Sequence, residues 1–270
     1  MAGLQPRFHE DQVAIIESFL RHHLEDSGAR GLVLGMSGGL DSSLVARLCV
    51  DAVGADKVLG VWSGEGPPRD AEYRDASAWA KALRVELRRF DIAPLVAGFR
   101  RALKAGKDDR VALGNVKARA RMILLYFIAN TEGRLVIGTG NKSELATGYF
   151  TLFGDGGADF LPIGDLYKTQ VREMAAFLKV PRKILEKVPT AGLWPGQTDE
   201  GELGIRYEDL DRVLLGIELR MAPDEIASRA GVDPETVARI DALVARNAHK
   251  RKTPLIPKVG IRTFGLDWRE

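Results

Sequence analysis

The stretch Gly31-Leu32-Val33-Leu34-Gly35-Met36-Ser37-Gly38-Gly39-Leu40-Asp41-Ser42-Ser43 constrains this chain more than any other. An apolar run leads into two adjacent glycines, and a helical pattern over residues 44–50 leads out. That order predicts a buried strand, a tight turn and a helix start. Glycine leaves no Cβ to block close approach and permits positive φ. Ser42 or Ser43 is placed to cap the new helix. Free backbone N–H groups in such a turn form an anion cradle, and the helix N-terminus adds roughly +0.5 charge. The stretch therefore reads first as a phosphate site. It is not a Walker A loop, because no Gly-Lys-Ser/Thr follows the glycines. Gly35, Ser37 and Gly39 also fit the G-x-S-x-G nucleophile elbow of serine hydrolases, and a plain glycine turn fits as well. Asp41 weighs against both: a carboxylate beside a phosphate cradle repels its ligand unless a metal lies between them.

Apolar runs then alternate with helical periodicity along the chain. Residues 8–26 carry helical spacing through Val13, Ile16, Phe19, Leu20 and Leu24 and stop at Ser27-Gly28. Residues 57–62 predict a second buried strand, closed by a glycine- and proline-rich loop over 63–68. A helix over about 70–83, a more exposed third strand over 84–90 and a helix over 91–105 follow, then a polar loop over 106–110. The long helix over 114–130 places Lys117 and Arg119 near its polar face and Met122, Leu125, Tyr126 and Ala129 on its apolar stripe. Residues 134–138 form the fourth strand, which also ends in a helix start, Thr139-Gly140-Asn141-Lys142-Ser143-Glu144. Strands alternating with helices predict an α/β fold with a parallel sheet and right-handed crossovers. Ligands of such sheets bind beyond the carboxyl ends of the strands, where Ser37 and Thr139 both fall.

The second half of the chain is less regular. Residues 147–160 form a loop rich in glycine and aromatic residues, whose rings either stack on a planar ligand or fill the core. A helix over 165–178 carries Lys168 in its first turn, where a lysine opposes the helix dipole and points to a nearby anion. Residues 189–200 are irregular, and residues 207–219 return to helix. Residues 222–247 look like a helix-turn-helix, but the second helix offers Glu235, Thr236, Arg239 and Asp241. That set is near neutral where a DNA reader needs basic, hydrogen-bonding residues, so a helical hairpin packed beside the sheet is the expectation. The basic cluster His249-Lys250-Arg251-Lys252 either complements a helix C-terminus or clamps a polyanionic substrate.

The totals exclude several classes. A net charge of +2 over 270 residues provides no bulk field for nucleic acid or a membrane surface. The one cysteine, Cys49, can form neither an internal disulfide nor a cysteine metal site, which fits a cytoplasmic setting. The longest apolar run, residues 122–129, is too short to span a bilayer, and no signal-type stretch opens the chain. One domain over 1–270 is expected, with a core over about 28–190 and a C-terminal helical segment and tail over about 205–270.

Ser37-Gly38-Gly39-Leu40-Asp41-Ser42 resembles the pyrophosphate-binding loop of the N-type ATP pyrophosphatases, which split ATP into AMP and pyrophosphate. Residues 138–144, 147–159, 161–170, 189–204 and 249–252 keep the order of one branch, and the chain resembles the NAD⁺ synthetases. Gly148-Tyr149-Phe150-Thr151 followed by Gly154-Asp155-Gly156-Gly157 is distinctive, as is Trp194-Pro195-Gly196-Gln197-Thr198-Asp199-Glu200-Gly201-Glu202-Leu203-Gly204. The resemblance implies a Rossmann-like parallel sheet with helices on both faces and a homodimer with substrate sites at its interface. It implies that Gly35, Met36, Ser37, Gly38, Gly39, Leu40, Asp41 and Ser42 bind ATP phosphates, with Thr139, Lys168 and Thr190 completing the ATP site. Asp41 and Glu144 would hold Mg²⁺. Arg119, Asp159, His249 and Lys250 would bind deamido-NAD.

The implied reaction is ATP-dependent amidation of deamido-NAD by ammonia, through a NAD-adenylate, the last step of NAD biosynthesis. Asp41, Lys168 and Asp159 would carry the chemistry, with Asp159 placed to accept a proton from ammonium. Ammonia would be free or delivered by a separate amidase, since Cys49 inside a helix is no amidase nucleophile. Two departures stand out. Many members have a lysine where Leu152 stands, and many have an arginine just after the second strand, where this chain has Trp62 and Ser63 with Arg69 as the nearest substitute.

Overall fold

The computed structural model describes residues 4–65, 71–106 and 108–262. Four parallel strands form one sheet: β1 (Gly31–Gly35), β2 (Val58–Gly64), β3 (Glu86–Asp91) and β4 (Arg134–Ile137). Their spatial order is β3-β2-β1-β4, with Leu34 level with Gly60 on one side and with Ile137 on the other. The chain moves outward from β1 to β3 and then returns to the far side of β1. The strand order therefore reverses between β1 and β4, and a crevice opens at the carboxyl ends of those two strands. β3 is at one edge and is only partly buried, as its alternating sequence predicts.

Both faces of the sheet are covered. Successive residues of a strand point to opposite faces, and β1 shows it: Leu32 and Leu34 enter one core, Val33 another. The first core packs against α1 (Asp11–Ser27), α2 (Leu40–Val53), α3 (Ala71–Leu83) and, later in the chain, residues 168–177. α4 (Ala93–Ala102) follows β3. The second core lies under α5 (Arg110–Glu132), through Ile128 and Ala129. Beyond β4 come α6 (Lys142–Thr147), α7 (Lys168–Phe177), α8 (Arg182–Leu185), α9 (Asp199–Leu203) and α10 (Tyr207–Glu218). α11 (Pro223–Ala230) and α12 (Pro234–Arg246) form the hairpin. Ile226, Ala230, Val237 and Ile240 are buried with Tyr207 and Leu210 in a third cluster. The hairpin thus spends its apolar faces on α10. No helix of the described residues is long and apolar enough to cross a membrane.

Three boundaries differ from expectation. α5 begins at Arg110, so Gly114 lies inside it. A Cβ there would sit 3.0 Å from the Trp194 ring, so glycine marks a close approach rather than a helix start. α7 begins at Lys168 rather than near 165, because the Gln170 side chain accepts from the Tyr167 N–H and sets the start there. Neither Ser42 nor Ser43 caps α2. The N-cap is Gly39, and both hydroxyls sit a turn inside the helix, where each donates to the Gly39 carbonyl.

Candidate active site

The loop after β1 and the starts of α2, α6 and α7 meet at the crevice. A cavity of about 1220 Å³ opens there, lined by residues 35–42 together with Thr139, Glu144, Lys168, Thr190 and Lys250. Gly38 adopts φ +79°, and a Cβ on it would lie 2.3 Å from the Glu72 carbonyl oxygen of α3. Only glycine satisfies both conditions. The Ser37 hydroxyl accepts from the Gly39 N–H at 3.2 Å and lies 3.0 Å from the Ser42 hydroxyl.

Lys168 is 2% exposed. Its ammonium bonds Asp41 Oδ2 and stands 3.9 Å from Glu144 Oε1. Burial alone pulls its pKa down, but the Asp41 and Glu144 charges outweigh burial and hold it above the ordinary lysine value. Glu144 goes the other way: burial first, then the Asp41 charge, push its carboxyl well above the usual range, against the pull of Lys168. Asp41 Oδ1 also accepts from Asn141 Nδ2 at 3.3 Å. Asn141 is fully buried and caps α6: its side chain accepts from the Glu144 N–H, and Glu144 Oε2 accepts from the Asn141 N–H. One capping box therefore aims Glu144 and steadies Asp41.

Residues that sequence reasoning passed over complete the support. Asp211 on α10 is fully buried and accepts from the Ser143 hydroxyl and from the Thr169 N–H. The Ser143 hydroxyl in turn accepts from the Lys168 N–H at 2.9 Å. The backbone at the start of α7 is thus tied down at the residue whose side chain enters the cavity. Asp199 lines the cavity at 3% exposure; Tyr207 donates to its Oδ2, while its Oδ1 has no hydrogen-bond partner. Burial raises its pKa, and the Lys168 charge opposes that. The Asn-x-x-Glu spacing was a readable signal for Asn141; nothing local marks Asp199 or Asp211.

The other predicted residues lie elsewhere. Arg119 is exposed on α5 and donates to the Leu152 carbonyl at 3.2 Å. Asp159 accepts from the Tyr126 hydroxyl at 3.0 Å and from the Val136 N–H at 2.7 Å. His249 is exposed, 3.1 Å from the Arg246 carbonyl. None of the three lines the cavity. Both Asp159 oxygens are already engaged, one by Tyr126 and one by the N–H of Val136, a residue that lines the cavity although Asp159 does not. Lys250 does reach the cavity, donating to the Gly148 and Phe150 carbonyls at 2.7 and 2.9 Å over the Phe150 ring. Tyr149 and Phe150 line it too, while Phe160 turns away to stack on His23. Arg69 lies outside the described residues.

Asp41 and Glu144 offer hard carboxylate oxygens, and Mg²⁺ typically takes one or two of these beside substrate phosphates. Among the described residues no group of three or more His, Cys, Asp or Glu forms a cage. The set therefore fits an ion that arrives with a phosphate-bearing ligand.

A sheet whose strand order reverses beside a glycine-rich anion cradle, with a buried lysine set between carboxylates, is nucleotide-binding architecture of the adenine nucleotide alpha hydrolase-like kind. Within that class the family is specific. Residues 12–254 match the NAD synthase family model, and the chain belongs to that family. It is 48% identical to the NH(3)-dependent NAD(+) synthetase of Methanococcoides burtonii over 90% of this chain and 92% of that one. Among solved structures, it matches an NMN synthetase from Francisella tularensis with a TM-score of 0.81 at 33% identity, over 93% of this chain and 100% of the other. It also matches the NH3-dependent NAD synthetase of Campylobacter jejuni with a TM-score of 0.78 at 31% identity, over 92% and 98%.

Proposed function

We infer that this chain amidates deamido-NAD with ammonia, using ATP and yielding NAD⁺, AMP and pyrophosphate, the last step of NAD biosynthesis. The observation that carries the reading is the placement of Lys168, Asp41 and Glu144 around one point of a cavity floored by the 35–42 loop. A carboxylate does not react with ammonia at neutral pH, because oxide would have to leave. The pyridine carboxylate oxygen therefore attacks the α-phosphorus of ATP, the bond to the β-phosphate oxygen breaks, and pyrophosphate leaves. The nitrogen of ammonia then attacks the carbonyl carbon of the NAD-adenylate, AMP departs with the bonding pair, and the extra proton passes to solvent or a nearby base.

The loop amides and Lys168 are placed to neutralise charge that builds on pyrophosphate. The Asp41 and Glu144 charges beside it favour the protonated, cationic form of Lys168. Gly35 to Ser42, Thr139 and Thr190 hold the nucleotide. Asp41 and Glu144 would hold Mg²⁺, which would supply charge neutralisation at the phosphates. Positioning of the two substrates does much of the rest.

Arg119, Asp159, His249 and Lys250 serve deamido-NAD, and a homodimer explains why three of them lie outside the cavity of one chain. Ile123 and Phe127 on α5 are 55% and 65% exposed, beside Arg119 and Tyr126 on the same helix, and Leu95 and Phe99 on α4 are exposed as well. Such a face fits a second copy. Ammonia arrives free or from a separate amidase, and the setting is the cytoplasm.

The similarity to an NMN synthetase favours one competing reading, a mononucleotide acceptor bearing the same pyridine carboxylate. Product analysis decides between them. With Mg²⁺, ATP and ammonium, the protein converts deamido-NAD to NAD⁺ with matched AMP and pyrophosphate, and prefers it to nicotinate mononucleotide. The reverse preference moves the chain to the shorter acceptor, and no AMP with either acceptor removes the reading.

A further inference from the structure

Lys187 plays no part in the reaction as derived, yet it touches the phosphate loop directly. It follows α8 and lines the cavity together with Val188, Pro189 and Thr190 after it. Its ammonium donates to the Gly38 carbonyl at 2.7 Å and pairs with Asp75 Oδ2 at 2.6 Å. Asp75, on α3, is 7% exposed, and its other oxygen pairs with Lys183 at 2.7 Å. The Glu72 backbone, one turn earlier on α3, lies directly behind Gly38. The loop is therefore held from behind by α3 and from its carbonyl side by a lysine that α3 itself anchors.

The consequence follows from peptide geometry. No peptide bond among the described residues is cis, and in a trans peptide C=O and N–H point opposite ways. A Gly38 carbonyl fixed on Lys187 therefore fixes the Gly39 N–H in the other direction, toward the Ser37 hydroxyl, which lines the cavity. Gly38 and Gly39 carry no Cβ, so the peptide between them meets little steric resistance to flipping. A flipped peptide would present a carbonyl, not a donor, to the phosphates. An anion cradle built on two glycines needs an outside hold, and Lys187 supplies one from the very segment that closes the cavity at Pro189 and Thr190.

We propose that Lys187 is a positioning residue that keeps the Gly38–Gly39 peptide in its anion-binding orientation. This rests on the NAD⁺-synthesising reading only for its kinetic readout. Lys187→Met and Lys187→Arg are compared with the wild type by steady-state kinetics, varying each substrate in turn, and by calorimetric titration with magnesium pyrophosphate. The expected result for Lys187→Met is a loss of about 10–100-fold in kcat/KM for ATP, as for one charge-assisted hydrogen bond, with a matching loss in pyrophosphate affinity. KM for ammonium and for deamido-NAD stays within about twofold, which a general loosening of the fold would not allow. Lys187→Arg, which keeps a cationic donor, recovers most of the loss. Wild-type ATP kinetics in Lys187→Met would overturn the proposal, and so would equal losses toward all three substrates or no rescue by arginine. If the wild type makes no NAD⁺, the functional reading fails by itself, and the pyrophosphate titration still decides the role of Lys187. Should Lys187→Met not fold, the arginine variant must match the wild type in that titration, and a tenfold loss there refutes the proposal.

Discussion

The ATP side of the cavity and the acceptor side hold their charges differently. On the ATP side Lys168 is 2% exposed, bonded to Asp41 and backed by a capped helix and a buried aspartate. Of the residues proposed for the acceptor, Arg119 and His249 are exposed and bonded to backbone carbonyls, and the Asp159 carboxylate accepts from the Tyr126 hydroxyl and the Val136 N–H. The first arrangement is preorganised: its dipoles and charges are already in place when the nucleotide arrives, so little reorganisation is required at the moment of reaction. The second is incomplete within one chain. Ile123 and Phe127 are exposed on α5, the helix that carries Arg119 and Tyr126. The residues proposed for ATP cleavage are thus held in place within one chain, whereas those proposed for the acceptor are not drawn together by it.

The largest effects should come from the preorganised side. Asp41→Ala removes the partner of Lys168 and the proposed metal carboxylate together, so AMP formation should fall by at least ~10³-fold. Pyrophosphate release in a coupled assay measures it, and near-normal turnover would show that Asp41 holds no part of the site. Lys168→Met should lower kcat by about 10²–10³-fold, by analogy with loss of one charge-stabilising donor, while KM for deamido-NAD stays put. A variant that changed only the acceptor KM would reverse the division between the two sides.

The same division decided what the sequence made legible. Strand ends and helix starts are local patterns. The apolar run before Ser37, the glycines after it and the Asn141-Lys142-Ser143-Glu144 spacing each announce their place, and the alternation of elements puts them on one edge of a parallel sheet. Lys168 was legible because a lysine at a helix start is electrostatically out of place. Asp199 and Asp211 were not, because burial beside Lys168 depends on how α9 and α10 pack, and no local pattern fixes that. The outer face of α5 was misread for a related reason. A single apolar stripe was expected, but the helix also exposes Ile123 and Phe127, one turn apart on its outer face.

That outer face yields the next test. If a second copy covers it, Phe127→Glu places a charge in the interface, and sedimentation should show the wild-type dimer giving way to monomer. The same variant should lose about tenfold or more in kcat/KM for deamido-NAD and keep its affinity for magnesium pyrophosphate. Arg119→Ala should raise KM for deamido-NAD by about 10–100-fold, the range for one charge-assisted hydrogen bond, without dissociating the dimer. Equal losses toward ATP and acceptor in either variant would dissolve the distinction between the two sides.

The smallest expected effect sharpens the comparison from below. Asp75 buttresses the ATP side through Lys183 and Lys187. Burial raises its pKa, but the bonds to the two lysines win, so its carboxyl is held below the usual aspartate value. The sign follows: a carboxylate whose pKa falls on folding adds stability that is fully present above its unfolded pKa and is lost as pH drops through the folded one. Asp75→Asn should therefore cost about 1–2 kcal/mol near neutral pH, the scale of a hydrogen bond to a charged group, or about 2–8 °C in Tm for a chain of this size. Melting curves from pH 7 down to pH 3 should show the gap to the wild type narrowing, because protonation of Asp75 leaves the wild type as poorly paired as the variant. A gap that held constant to acid pH would mean that packing, not charge, secures α3 against the loop. An Asp75→Asn protein that also lost pyrophosphate affinity would place this ion pair within the preorganisation of the ATP side, since a stability change this small leaves nearly every molecule folded at 25 °C.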